Sequence, residues 1–196
     1  MAIALHNINN VDDYSIKHNQ NLEDKLMKLV VPCWRYHASF IAYLESLGDE
    51  ERYPFTLDLE SRDFAQYLQV LENYANGVAL PEKTAQNSTL WLVKDEEIIG
   101  VTNIRHYLNE YIEYCGGHIG LGIKPSSRGQ GYGTKLMGLS IEYLAQLGVK
   151  SAHVHCYKNN ISSAKAIIAN GGSLDSEIIE NNQIIQRYIV DTSAYI

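Results

Sequence analysis

The sequence predicts a single α/β (α+β) domain, a mixed sheet with helices on its faces. Three observations carry this. Two segments of the first half place apolar residues at helical spacing. The middle switches to strand-like runs on either side of a charged turn. The second half then alternates strand, helix, strand, helix before closing in two further strands, the order expected of helices packed on a sheet. At 196 residues the chain suits one domain with a short extension. The expected division is an N-terminal extension over residues 1–27 and a domain over 28–196.

The elements follow in order. The first 22 residues are rich in Asn (Asn7, Asn9, Asn10, Asn19, Asn21) without apolar period, which reads as a loosely held segment. Leu29 to Trp34 is a short apolar run containing Pro32, so an edge strand or a strand start. From Tyr36 onward Phe40, Ile41, Tyr43, Leu44 and Leu47 share a helical face, closed by Gly48. A second helix is expected from Ser61 to Gly77, with Phe64, Tyr67, Leu68, Leu71 and Tyr74 inward and Asp58 or Ser61 as cap. Leu90 to Val93 and Ile98 to Ile104 flank Lys94-Asp95-Glu96-Glu97 and read as a hairpin. Tyr107 to Tyr114 is a polar, aromatic connection. His118 to Ile123 is a strand carrying glycines and ending at Pro125. Tyr132 to Leu147 is strongly amphipathic and stops at Gly148. Val149 to Tyr157 alternates as a strand, Asn160 caps a helix carrying Ile161, Ala164, Ile167 and Ile168, and Asn170-Gly171-Gly172 ends it. Glu177 to Val190 forms two strands about Asn181-Asn182, a type I′ turn.

Composition narrows the function. Apolar residues at 45% and charged residues at 20% exclude disorder and a coiled rod. No apolar run approaches the ~18 residues of a membrane span, and Met1 to Asn10 lacks a signal-peptide pattern. A net charge of -7 argues against nucleic-acid or anionic-membrane partners and favours cationic ones. Cys33, Cys115 and Cys156 are widely spaced, which fits reduced thiols in a cytoplasmic protein and supports neither a disulfide frame nor a metal site.

The chemistry concentrates in Ile123-Lys124-Pro125-Ser126-Ser127-Arg128-Gly129-Gln130-Gly131-Tyr132-Gly133-Thr134-Lys135-Leu136. A strand ends, three alternating glycines follow, and a helix begins inside the loop. Glycines let backbone N–H groups approach a ligand without interference from Cβ. The free N–H groups and dipole of the first helical turn favour an anion, and Arg128 adds a fork of donors for phosphate oxygens. Spacing discriminates among phosphate ligands. The P-loop GxxxxGK[ST] is not met, and GxGxxG fails whether it starts at Gly129 or Gly131, which disfavours a dinucleotide-dependent oxidoreductase. The pattern that fits is Arg128-x-x-Gly131-x-Gly133.

That pattern resembles motif A of the GNAT superfamily of acetyl-CoA-dependent N-acetyltransferases. Val154-His155-Cys156-Tyr157-Lys158-Asn159-Asn160, running into a helix with Ser163 and ending at Asn170-Gly171-Gly172, resembles the family's next strand and helix. The likeness is best over Thr89 to Ser173. Arg105 to Glu110 (RHYLNE) and the following GGHIGLGIKPSSRGQGYGT look like a bacterial subgroup described only as predicted acetyltransferases.

The resemblance implies a mostly antiparallel, twisted sheet with a splayed pair of central parallel strands, and the acetyl-pantetheine arm of acetyl-CoA in the gap between them. Main-chain groups of Leu121 and Ile123 would pair with the arm, with Gly120 and Gly122 suited to a bulge that opens the gap. Arg128, Gly129, Gln130, Gly131, Tyr132, Gly133 and Thr134 would wrap the pyrophosphate. Asn160 and Ser163 would touch the pantetheine or adenosine end. The activity implied is acetyl transfer to a small-molecule or peptide amine by direct attack, without a metal; a non-catalytic acyl-CoA sensor of the same fold is the alternative. Two family positions are vacant: the usual Glu falls on Gly117 and the usual Tyr on Ile167. The residues themselves suggest substitutes. His118 adjoins the vacant base position and has a suitable intrinsic pKa, Glu113 precedes it, and Tyr157 is placed to protonate the departing thiolate. Cys156 reads as a buried strand residue. For the acceptor, Trp34, Tyr36, Tyr53, Phe55, Trp91, Tyr107 and Tyr111 supply aromatic surface and Glu50, Glu51, Asp58 and Glu60 supply charge, a combination suited to an organic cation. The tyrosine-rich surface is also compatible with a homodimer.

Overall fold

The structure is a computed structural model and describes residues 27–195. The expected extension over 1–27 lies outside them except for Met27. Strand β1 (Met27–Val30) pairs with β2 (Asn87–Lys94), β2 with β3 (Glu97–Arg105), and β3 with β4 (Ile119–Ile123), all antiparallel. The second sheet has the order β5 (Ser151–Tyr157), β7 (Gln183–Asp191), β6 (Ser173–Glu180), again antiparallel. The helices are α1 (His37–Ser46), α2 (Phe64–Ala75), α3 (Glu110–Tyr114), α4 (Tyr132–Gln146) and α5 (Ile161–Ala169). This is the expected α+β arrangement of antiparallel sheets flanked by helices, but the expected single mixed sheet with a splayed pair of parallel strands is not shown among the described residues: the strands form two antiparallel sheets.

Two cores form because β2 and β3 are buried on both faces. Trp91, Val93, Ile98 and Val101 point towards α1 and α2, where Phe40 stacks on Trp91 with ring centroids 5.1 Å apart. Leu90, Leu92, Ile99 and Ile104 point the other way, onto Leu136, Leu139, Ile141 and Leu144 of α4. That second core continues into Ala152, Val154, Tyr188 and Val190, so α4 spans both sheets.

Several boundaries moved for identifiable reasons. The first strand stops at Val30, before Pro32, and Trp34–Tyr36 is a turn of 3₁₀ helix. The second helix starts at Phe64 and is capped by Asp63, whose carboxylate accepts the Gln66 N–H at 3.0 Å, in place of Asp58 or Ser61. The polar connection contains the short helix α3, started by Asn109 accepting from Ile112 N–H at 2.9 Å. The Asn181-Asn182 turn has φ of 48° and 61°, the left-handed pair that type I′ requires.

Among the described residues no ladder joins β4 to β5. The sheets meet at one antiparallel-type bridge, Gly117–Val154. His118 N–H donates to the His153 carbonyl (2.7 Å), and His153 N–H donates to His118 Nδ1 (2.9 Å). The β3–β4 register is unbroken from Ile119 to Ile123, so the expected bulge at Gly120 and Gly122 is not formed. Those glycines serve a close approach instead. A Cβ on Gly122 would lie 2.4 Å from the Tyr53 carbonyl oxygen, and one on Gly120 would lie 3.0 Å from the Tyr53 hydroxyl. The α1–α2 connection therefore rests directly on β4.

Candidate active site

The glycine-rich loop begins with a 3₁₀ turn, Pro125–Ser127, in which Ser127 N–H donates to Lys124 O (2.8 Å). Gly129 (φ 74°) and Gly131 (φ 83°) then adopt the left-handed backbone. Gly131 is the N-cap of α4 and provides no side-chain cap, so the N–H groups of the first turn stay available to a ligand. A Cβ on Gly129 or Gly131 would meet nothing within 4 Å, which shows that the outer surface of the loop is open. Gly133 is the second residue of α4, and a Cβ there would lie 3.7 Å from Ile123. Gln130 is exposed and its amide donates to Ser126 O, whereas Tyr132 is half-buried and its hydroxyl accepts from Lys94 Nζ at 2.8 Å. Thr134 is tied to α5 through its carbonyl, which accepts from Asn170 Nδ2 at 3.0 Å.

Arg128 does not stand free beside the loop. Its Nε donates to the Ile123 carbonyl (3.0 Å), and its two terminal nitrogens grip Glu50 at 3.1 and 2.6 Å. That hydrogen-bonded pairing lowers the Glu50 carboxyl pKa and raises that of the guanidinium. Glu50 belongs to the α1–α2 connection, so this ion pair links the glycine loop to the opposite wall. There an open cavity of about 710 Å³ is lined by Asp49, Glu50, Glu51, Arg52, Tyr53, Phe55 and Asp58, among others. Of the aromatics singled out for an acceptor wall, Tyr53 and Phe55 line this cavity. Trp91 and Tyr36 belong to the core, and Trp34 packs edge-on against Phe64.

At the far end of α5's entry, Asn160 caps the helix by accepting Ser163 N–H at 3.1 Å, so the two predicted contact residues form one local unit. Leu121 and Ile123 are half-buried with side chains against the α4 core. Tyr157 ends β5 and is 46% exposed.

The proposed bases fare differently. His118 is 4% exposed, and burial first, then neighbouring His153, pushes its pKa down to about 4. Because Nδ1 accepts a hydrogen bond, the neutral ring carries its proton on Nε2. It is a buried fastener between the two sheets and is poorly suited to a base titrating near neutrality. Glu113 is exposed on α3 and lines a separate pocket of about 110 Å³ with His153, Asp175 and Arg187, away from the glycine loop. The vacant base position is closed sterically: a Cβ on Gly117 would lie 2.5 Å from the His153 carbonyl oxygen. Burial raises the Cys156 thiol to a pKa of about 11, in keeping with an inert strand residue.

Three features had no sequence signal. His155 accepts Gly116 N–H at Nδ1 (3.0 Å), while its buried Nε2 has no hydrogen-bond partner among the described residues. Burial holds this ring's pKa at about 4 as well. The buried Tyr43 hydroxyl, 3.4 Å from where a Gly122 Cβ would sit, is likewise unpartnered among the described residues. Arg105 donates to the Gly117 carbonyl at 2.8 Å and lies within electrostatic reach of Tyr53.

No functionally curated protein matches the sequence significantly. Solved structures share the fold. The ribosomal-protein-S5-alanine acetyltransferase from Vibrio fischeri superposes with a TM-score of 0.64 at 12% identity, covering 87% of this chain and 96% of that one. The microcin C7 self-immunity acetyltransferase MccE, solved in complex with acetyl-CoA and AMP, gives 0.61 at 16%, covering 85% and 94%. Mutant forms of the spermidine/spermine N-acetyltransferase SpeG from Vibrio cholerae give 0.60 at 13%, covering 87% and 96%. The acetyltransferase (GNAT) domain family matches residues 35–173, most of the described chain, and by that match this protein belongs to the GNAT acetyltransferases.

Proposed function

We propose that the protein transfers the acetyl group of acetyl-CoA to a primary amine by direct attack in a ternary complex. The observation that carries this is the open, uncapped, left-handed glycine turn at the N-terminus of α4, immediately after β4. Such a turn presents several N–H donors and the positive end of a helix dipole to a diphosphate. Arg128 joins them by exchanging Glu50 for a phosphate oxygen. The arm of the cofactor lies along the edge of β4 that no ladder occupies among the described residues, in the gap towards β5. Ile123's carbonyl is already taken by Arg128, so pairing falls mainly on Leu121.

The acceptor enters from the α1–α2 side, where Asp49, Glu50, Glu51 and Asp58 surround Tyr53 and Phe55. Carboxylates and aromatic faces together select a cationic amine. An amine of pKa ~10.4 is neutral in about one molecule per few thousand at pH 7, so reaction draws on that fraction. A main-chain N–H of β4 near Leu121 stabilises the oxyanion. Asn160 and Ser163 flank the cofactor's far end.

A non-catalytic acyl-CoA-binding module is the second reading, favoured by Gly117, whose position admits no side chain, and by Ile167 in place of the family's tyrosine. Calorimetry with acetyl-CoA, paired with thiol release over a panel of primary amines, separates the two. Binding with amine-dependent thiol release supports transfer. Binding without release supports the module, and no binding overturns both.

A further inference from the structure

The family's usual proton donor is missing here, and the fold brings another hydroxyl to the strand that would hold the thioester. Tyr53 sits in the connection between α1 and α2, far from β4 in sequence, yet both its main chain and its ring rest on that strand. Its carbonyl oxygen would lie 2.4 Å from a Cβ on Gly122, and its Oη, Cζ and Cε1 would lie 3.0, 3.2 and 3.3 Å from a Cβ on Gly120. The missing side chain at Gly122 admits the Tyr53 main chain, and the one at Gly120 admits the ring. The residue is 44% exposed overall because it also lines the acceptor cavity, but its hydroxyl end is pressed against Gly120. One tyrosine therefore bridges the acceptor cavity and the residue next to Leu121.

Resting on the function proposed above, we infer that Tyr53 is a catalytic residue of the transfer, the donor of the proton that the departing sulfur takes. The neutral amine attacks the thioester carbonyl, and a C–N bond forms. The intermediate collapses with cleavage of the C–S bond as the Tyr53 O–H passes its proton to sulfur. The phenolate takes the proton released by the former amine nitrogen, so the tyrosine ends the cycle as it began and the products are the amide and free thiol. One surrounding suits this. Arg105, held by the Gly117 carbonyl, lies within electrostatic reach and favours the short-lived phenolate. Tyr157, which also interacts electrostatically with Tyr53, is the competing donor.

The test is Tyr53→Phe, which deletes one oxygen and keeps the ring on Gly120, measured with acetyl-CoA and the fastest primary amine of the panel. The expected result is a kcat lower by roughly 100-fold, the usual worth of a general acid, with acetyl-CoA affinity by calorimetry and the amine KM both within about twofold. Gly120→Ala, which displaces the hydroxyl by a few tenths of an ångström, is expected to lower kcat in the same direction and to add nothing in the Tyr53→Phe background. An unchanged kcat overturns the inference. So does a raised amine KM with kcat retained, which would make Tyr53 only a wall of the acceptor cavity, or a larger kcat loss in Tyr157→Phe. A wild-type protein that binds no acetyl-CoA, or binds it and releases no thiol, fails at the proposed function itself, which separates that failure from this one.

Discussion

The glycine loop after β4 and the junction with β5 just before it flank the same strand but are built on opposite principles. The loop is contiguous. Its turn, its left-handed glycines and the start of α4 all come from residues 125–135, and its chemistry is mostly main-chain. The junction is assembled from four distant stretches: Tyr53, Arg105, Gly116 to His118, and His153 to Tyr157. Its two sheets are tied by one bridge and a reciprocal pair of hydrogen bonds between His118 and His153. The difference teaches that a binding element and a catalytic element of one site can have unequal tolerance. The loop should lose ligand when changed but keep its fold, while the junction should lose its fold first.

Gly131→Asp breaks the loop side most sharply. It puts a carboxylate at the N-cap where the diphosphate is proposed to sit, on a residue with φ of 83°. Acetyl-CoA affinity should fall at least 100-fold by calorimetry with the circular-dichroism spectrum retained; unchanged affinity in a folded variant would place the cofactor elsewhere.

His118→Ala addresses the junction. It strands the His153 N–H in a part-buried junction and leaves a cavity, and should lower the unfolding free energy by about 2–4 kcal/mol in urea titrations. A loss of kcat at unchanged stability would instead restore a direct catalytic role for this histidine. The same group sets a pH dependence. Its folded pKa of about 4 lies below the unfolded 6.5, so the unfolded chain binds the proton more readily between those values. Stability should therefore fall as pH drops from about 6.5 towards 4, with His118 contributing up to about 3 kcal/mol. The decline should be shallower in His118→Ala, with His155 supplying part of the remainder.

The smallest effect belongs to the contact that ties the loop to the α1–α2 connection. Glu50→Gln frees Arg128 from an exposed ion pair, and such pairs contribute about 0.2–1 kcal/mol. Acetyl-CoA should bind up to about fivefold more tightly, while a cationic amine should bind more weakly. A weaker cofactor affinity would show that the pair holds Arg128 in place for the phosphate.

The loop was legible because its residues are neighbours in the chain and its conformation follows from glycine and proline chemistry. The same holds for Asn160, a cap whose partner is three residues away. The rest was hidden by distance. Nothing near Gly120 and Gly122 in the sequence shows that they floor a tyrosine from the α1–α2 connection, so they read as a bulge. His118 carries an intrinsic pKa that suits catalysis, and only its burial removes it from that range. Arg128 reads as a free phosphate ligand because Glu50 lies 78 residues away. Trp91 reads as a potential cavity wall because period-two alternation does not say that β2 is covered on both faces.

By itself the sequence determined the order of the strands and of the helices other than α3, the glycine turn at the start of α4 and the family, since each rests on short-range backbone preference and local spacing. Tertiary structure decided which ionisable groups stay in water, which are buried and shifted, and which hydroxyl meets β4. Those outcomes depend on desolvation and on contacts between residues far apart in the chain, and neither quantity exists until the two sheets are packed across α4.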